Sequence, residues 1–253
     1  IAEETGENSI NLRADGFDIE DNIVSGGAYI YIAIRRGTKV PESGTEVFAM
    51  DTGDGSSNPA YYSGFPVDFA YTKDKANSAN WLVGSRLNQG SLLSFNTTSA
   101  ESANSVMAFD YNDRWYDLSR ASNYYSGMWK RAPGFFDVVA YTGTNVPGLT
   151  INHNLGVVPE MIWVKNRSAA EYWAVYHKDL NGGTNPSHYY LKLNDTIAET
   201  DYNEIWNDTE PTDTHFTVGT GNNTSGRSYV AMIFAHHNGD GTFGPTGDQD
   251  IIH

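Results

Sequence analysis

A chain of 253 residues with 25 Gly, 16 Tyr, 6 Trp and no Cys carries the residue types that fill strands and turns. Its formal net charge of -15 repels phosphate, and its basic residues gather only in the pairs Arg35-Arg36 and Lys130-Arg131, which argues against nucleic acid and anionic membranes as partners. The absence of cysteine excludes disulfide scaffolds, cysteine zinc sites and thiol catalysis, and no apolar run approaches a membrane-spanning helix.

In chain order, Ile1-Ala2-Glu3-Glu4 is no signal peptide, and the chain reads as an excerpt of a longer polypeptide or a processed product. Ile30, Ile32 and Ile34 alternate as one face of a strand. Asp51-Thr52-Gly53-Asp54-Gly55 is a turn. Leu93 and Phe95 are expected to face inward. Residues 99–106 are small, with Glu101 near their start, and offer the best case for a short helix. Residues 135–141 and 161–164 are continuous apolar runs, as strands covered on both faces would be. Leu191 and Leu193 are expected to point in, and Lys192 and Asn194 out. Gly/Asn clusters at 181–183, 221–223 and 238–241 mark further turns.

Three segments resemble one another in order. Ile1-Ala2-Glu3, Ser99-Ala100-Glu101 and Ile197-Ala198-Glu199 recur with a period of about 98 residues, too long for a solenoid coil and suited to a β-sandwich. A second anchor aligns Trp115 with His215, and a third aligns Tyr29, Tyr125 and Tyr229. The expected organisation is the C-terminal part of a first repeat (1–37), a second repeat (38–132), a third (133–239) and the start of a following unit (240–253). The expected fold class is all-β, in tandem antiparallel β-sandwich repeats.

Few residues suggest chemistry. No phosphate-binding loop, Gly-x-Ser-x-Gly elbow or His-Glu-x-x-His motif is present, and no catalytic residue is expected. The carboxylates around Trp115 (Asp110, Asp113, Asp117) and before Trp206 (Glu199, Asp201, Glu204) would need to face each other across a sugar to act as a glycosidase. Local density does not establish that. His153, His177, His188, His215, His236, His237 and His253 lack metal-ligand spacing. No cofactor is expected; Asp51, Asp54 and Asp240 are candidate calcium ligands, although their loops depart from the twelve-residue pattern. Most of the tryptophans and tyrosines are expected in cores or between domains. Among those able to stack on a sugar ring, Trp115, Trp173 and Trp206 are the ligand-binding candidates, because each has polar neighbours in sequence. Tyr61, Tyr62, Tyr124, Tyr125, Tyr189 and Tyr190 are further aromatics of that kind.

Taken together, the segments at 135–144, 153–165, 193–199 and 229–235 resemble repeat domains of large virion structural and tail-fibre proteins of marine tailed phages, including cyanophages. The resemblance spans essentially the whole chain and implies a multi-domain appendage on the virion surface, with β-sandwiches of lectin-like or jelly-roll-like form; no enzymatic activity is expected. Implied partners are other copies of the chain, as a homotrimer, other virion proteins and host-surface glycans. It supplies no site residue. The rival readings are a capsid-decorating protein without a receptor role, a bacterial surface adhesin, and a glycan depolymerase working through Asp113 or Glu199.

Overall fold

The computed structural model describes residues 10–12, 17–19, 41, 43–55, 60–88, 90–103, 107–116 and 122–235. The chain divides into two compact units, Ile1–Gly37 and Thr38–His253. In the first, β1 (Ile10–Leu12) and β2 (Phe17–Ile19) pair antiparallel, with Ile10 opposite Ile19. The strand expected around Ile30 lies outside the described residues, as does the expected unit 240–253.

The second unit is all-β and antiparallel. Its first lobe comprises β3 (Phe48–Thr52), β4 (Tyr61–Tyr62), β5 (Phe69–Asp74), β6 (Leu82–Ser85), β7 (Ser91–Ser94), β8 (Ser102–Ala103), β9 (Arg114–Trp115) and β10 (Tyr124–Trp129). They form a six-stranded sheet ordered β3-β10-β5-β6-β7-β8 and a two-stranded ribbon, β4-β9. The second lobe comprises β11 (Phe136–Thr142), β12 (Leu149–Asn152), β13 (Met161–Asn166), β14 (Ala174–His177), β15 (Tyr189–Lys192), β16 (Thr200–Asp201), α1 (Asn203–Trp206), β17 (His215–Val218) and β18 (Ser228–Phe234). Its sheet is ordered β11-β18-β13-β14-β15-β16 and its ribbon is β12-β17. Strand for strand, the two lobes follow one topology.

Alternation along each strand explains the layering. In β13, Ile162 and Val164 enter one core while Met161 and Trp163 pack against another; β18 alternates likewise between Tyr229, Ala231, Ile233 and Val230, Met232, Phe234. Side chains at even spacing share a face, so an unbroken apolar strand needs a layer on each side. Three cores result. One joins the first sheet to its ribbon through Tyr61, Phe109, Trp115 and Met128. A second joins the second sheet to its ribbon and α1 through Ile162, Ile205, Phe216 and Ile233. Between them the two sheets meet face to face, Phe69 stacking on Phe136 with ring centroids 5.6 Å apart.

The chain turns from one lobe into the next at a buried ion pair. Arg131 donates to Asp137 at 2.7 Å, and the second oxygen of Asp137 accepts the amide of Asn154. Both oxygens of this buried carboxylate are therefore satisfied, as its burial requires.

Four expectations need correction. Residues 102–103 are extended as β8 and pair with β7, so no helix forms among the described residues 99–103: the pairing satisfies backbone groups that a lone turn of small residues could not. Leu193 is 39% exposed, and Lys192 sets its ammonium over the Tyr172 ring. The anchor alignment slips by one residue. Trp129 lies opposite Phe48 and Phe69, and Phe234 opposite Phe136 and Met161, so Tyr124 matches Tyr229. Trp115 likewise matches Phe216, each paired across its ribbon with a core residue, Tyr61 or Ile151. A slip of one residue would turn every side chain to the wrong face.

Candidate functional site

The three tryptophans picked as ligand contacts are all buried. Trp115 is sealed between Tyr61 and Phe109, with ring centroids 5.7 and 5.2 Å away, and its Nε1–H donates to Ser126 Oγ at 2.9 Å. Trp206, on α1, meets Tyr176 edge-on at 6.0 Å, and its Nε1–H has no acceptor among the described residues. An indole buries so much apolar area that core positions claim it first. Polar neighbours in sequence say little, because successive strand residues point to opposite faces.

Trp173 has a different task. Its Nε1–H donates to the Ser94 carbonyl of the first lobe at 2.8 Å, and Phe95 packs on its ring at 5.3 Å. Residues 94–101 form a clasp on the second lobe. Lys165, fully buried in β13, donates to the carbonyls of Thr98 at 3.0 Å and Glu171 at 2.8 Å. The Glu101 amide donates to the Arg167 carbonyl, and the Arg167 guanidinium grips the Glu101 carboxylate at 2.5 and 3.0 Å. Burial pulls Lys165 down to about 8, with the Glu171 charge acting in the opposite direction. A planar fork meeting a carboxylate fixes direction as well as distance, so the clasp sets how the sheets face each other.

The suspected carboxylates are engaged separately. Asp113 is held by Arg114 at 2.6 and 2.9 Å, and these hydrogen bonds keep its carboxyl below the ordinary range. Glu199, in the second lobe, accepts the Asn181 amide, and Glu204 accepts from the Tyr202 hydroxyl. Asp110 and Asp201 are exposed, and Asp117 lies outside the described residues. His153 is buried between the Thr212 carbonyl and the Leu155 amide, and burial lowers its pKa. His177 faces Asp179 at 3.7 Å, and His215 sits against the Thr212 and Thr214 hydroxyls; His236, His237 and His253 lie outside the described residues. Of the calcium candidates, Asp51 uses both oxygens on the Thr52 and Tyr62 amides, tying β3 to β4. Asp54 is exposed, and Asp240 lies outside the described residues. Among the described residues, no three His, Asp or Glu side chains are grouped to hold a metal ion.

Two aromatic clusters, each with one exposed ring, sit beside the buried tryptophans. On the ribbon next to Trp115, Tyr62 is 58% exposed and carries the Arg114 guanidinium 5.4 Å over its ring. Next to α1, half-buried Tyr172, buried Tyr190 and exposed Tyr202 form a strip, with Tyr202, 41% exposed, as its open ring. Tyr172 stacks on Tyr190 at 5.6 Å, and Tyr202 stands 6.3 Å beyond Tyr190. Lys192 lies 4.4 Å above Tyr172, and the Tyr202 hydroxyl donates to Glu204 at 2.6 Å. Burial pushes the Tyr172 hydroxyl up, so it stays a neutral hydrogen-bonding group. Each surface joins a ring, a cation and a carboxylate, the set that packs on the C–H face of a sugar and orients its hydroxyls. Tyr62 and Tyr190 stand out in the sequence beside a second aromatic; Tyr172 and Tyr202 do not stand out as a site, because the strip gathers segments without a shared spacing.

Residues 45–248 match the model of DUF7483, a domain of unknown function. The search of curated proteins and the search of solved structures each returned no match.

Proposed function

We propose that this chain, which belongs to the DUF7483 family, is a non-enzymatic segment of a phage virion-surface appendage that spaces and presents contact surfaces for host glycans. The observation that carries the reading is one topology used twice, locked by the clasp of Trp173, Lys165 and Arg167 on residues 94–101. Lobes fixed in this way extend a particle's reach and hold weak contacts at set spacings, where they add through avidity. The aromatic surfaces at Tyr62 and Tyr202 occupy non-equivalent places in the two lobes, as expected of features added to a scaffold. Assembly with other copies, as a homotrimer, and with other virion proteins belongs to the same reading. The carboxylates that a depolymerase would need, Asp113 and Glu199, are tied to Arg114 and the Asn181 amide.

A glycan array probed with the multimerised segment tests the receptor role. Saturable binding that falls on Tyr62→Ala or Tyr202→Ala supports it. No binding at high avidity refutes it and leaves the capsid-decorating reading. Release of reducing ends from host polysaccharide would overturn the non-enzymatic assignment.

A further inference from the structure

The face that the clasp covers in the second lobe is built a second time in the first lobe. The amide of Trp173 donates to Asn194 Oδ1 at 2.9 Å, and that of Trp81 to Asn96 Oδ1 at 3.0 Å. Leu193 N donates to the Trp173 carbonyl and Phe95 N to the Trp81 carbonyl, both at 3.1 Å. Lys165 donates to the Glu171 carbonyl at 2.8 Å, and Lys73 to the Ala79 carbonyl at 2.5 Å. Asn166 Oδ1 caps the amides of Ser168 and Ala169, and Asp74 Oδ1 those of Ala76 and Asn77. The exposures differ. Trp173 and Lys165 are fully buried under residues 94–101, whereas Trp81 and Lys73 are half-buried.

The clasping loop is also built twice. In the second lobe, Leu193 stands where Phe95 stands in the first, and Glu199 where Glu101 does. Leu193 is 39% and Ile197 46% exposed, and Glu199 is exposed with one oxygen on the Asn181 amide. The position of Arg167, part-buried under Glu101, is taken in the first lobe by Lys75, which is exposed and likewise basic. The acceptor face therefore keeps its indole, its ammonium and a cation, and the donor loop keeps its apolar residue and its carboxylate.

We infer that residues 193–199 of one molecule dock on the Trp81, Lys73 and Lys75 face of a second copy of this chain, reproducing between molecules the contact that joins the two lobes. Leu193 then covers Trp81, the Lys192 carbonyl accepts from its indole, the Thr196 carbonyl accepts from Lys73, and Glu199 pairs with Lys75. Donor and acceptor are different surfaces, so the contact is heterologous and leaves a free loop and a free face at the ends, which propagates rather than closes. The contact between separate molecules is weak, because it lacks the tether that raises effective concentration inside one chain. The inference rests on the part of the proposed function in which copies meet copies.

The chain has no cysteine, so single thiols report the contact cleanly. The Glu101 amide lies 2.9 Å from the Arg167 carbonyl, which places the equivalent Glu199 and Lys75 within disulfide reach across the docked pair. Lys75→Cys is mixed with Glu199→Cys under mild oxidation, and separately with Asp213→Cys, an exposed site off the loop. The mixed dimer with Glu199→Cys is expected to form roughly tenfold faster than the control, since access and proximity set exchange rates. Adding Leu193→Asp to the Glu199→Cys chain should abolish the difference. Equal rates, or no effect of Leu193→Asp, overturn the inference. So does a thiol at position 75 that resists alkylation in dilute monomer, since the face is then covered by the chain's own residues. These positions lie off Tyr62 and Tyr202, so glycan binding that survives a failed cross-link isolates the failure to this contact.

Discussion

Replacing Trp173 by Phe keeps an aromatic ring in the clasp but removes the Nε1–H that donates to the Ser94 carbonyl at 2.8 Å. That carbonyl belongs to a residue only 7% exposed, so water cannot readily replace the lost donor. A buried polar group left without its partner costs about 1–3 kcal/mol. The smaller ring leaves a void that adds on the order of 1 kcal/mol. Trp173→Phe should therefore destabilise the unit by about 2–4 kcal/mol. At about 2–4 °C per kcal/mol for a domain of this size, Tm falls by roughly 4–16 °C. The matched control is Trp81→Phe, at the same place in the first lobe but half-buried, with an expected cost below about 1 kcal/mol. Urea unfolding followed by circular dichroism gives both values from midpoint and slope. Equal losses for the two variants, or a Trp173→Phe loss below about 0.5 kcal/mol, would refute the argument that one indole bonds across lobes and the other does not.

Lys165 predicts a pH effect. Burial holds it at about 8 in the folded chain, below the roughly 10.4 of an unfolded lysine, so the folded state sheds this proton first. The charge is a penalty below pH 8, and stability should rise as pH climbs from about 8 toward 10. Lys165→Met should flatten that rise in urea midpoints taken across the window, and an unchanged slope would show that Lys165 is not its source. Above about 10, the buried hydroxyls of Tyr141 and Tyr176, pushed up mainly by burial, bind protons more tightly in the folded state, so stability should fall again. Gly219→Ala probes close packing in the second lobe. A Cβ there would stand 2.4 Å from the Glu204 carbonyl oxygen, and the backbone shift it forces should cost about 1–3 kcal/mol; a midpoint equal to the wild type would contradict that approach.

How much of this was legible depends on whether a signal is local. The strands at 136–142 and 161–166 show in sequence because most of their apolar residues meet a core, Phe136 and Val138 in one and Ile162 and Val164 in another, although Ala140 is exposed. Strand order does not show. β10 and β18 come last in their lobes yet lie between the first and third strands, a pairing set by contacts distant in sequence. The tryptophans were legible as important residues but not as buried ones, since composition reports the type of a side chain and not the side it faces. Trp173 illustrates this, because its partner, Ser94, lies in the other lobe. The tyrosine strip draws on β15, the turn before β14 and the loop after β16, and no single window of sequence contains it.

Residues 94–101 of the first lobe grip the second, and a double-mutant cycle on Glu101 and Arg167 tests this most directly. Their bidentate pair is four-fifths buried on each side. Glu101→Gln, Arg167→Gln and the double variant should show a coupling of about 1 kcal/mol, above the few tenths of an exposed pair. Additive losses, with a coupling below about 0.3 kcal/mol, would contradict the clasp.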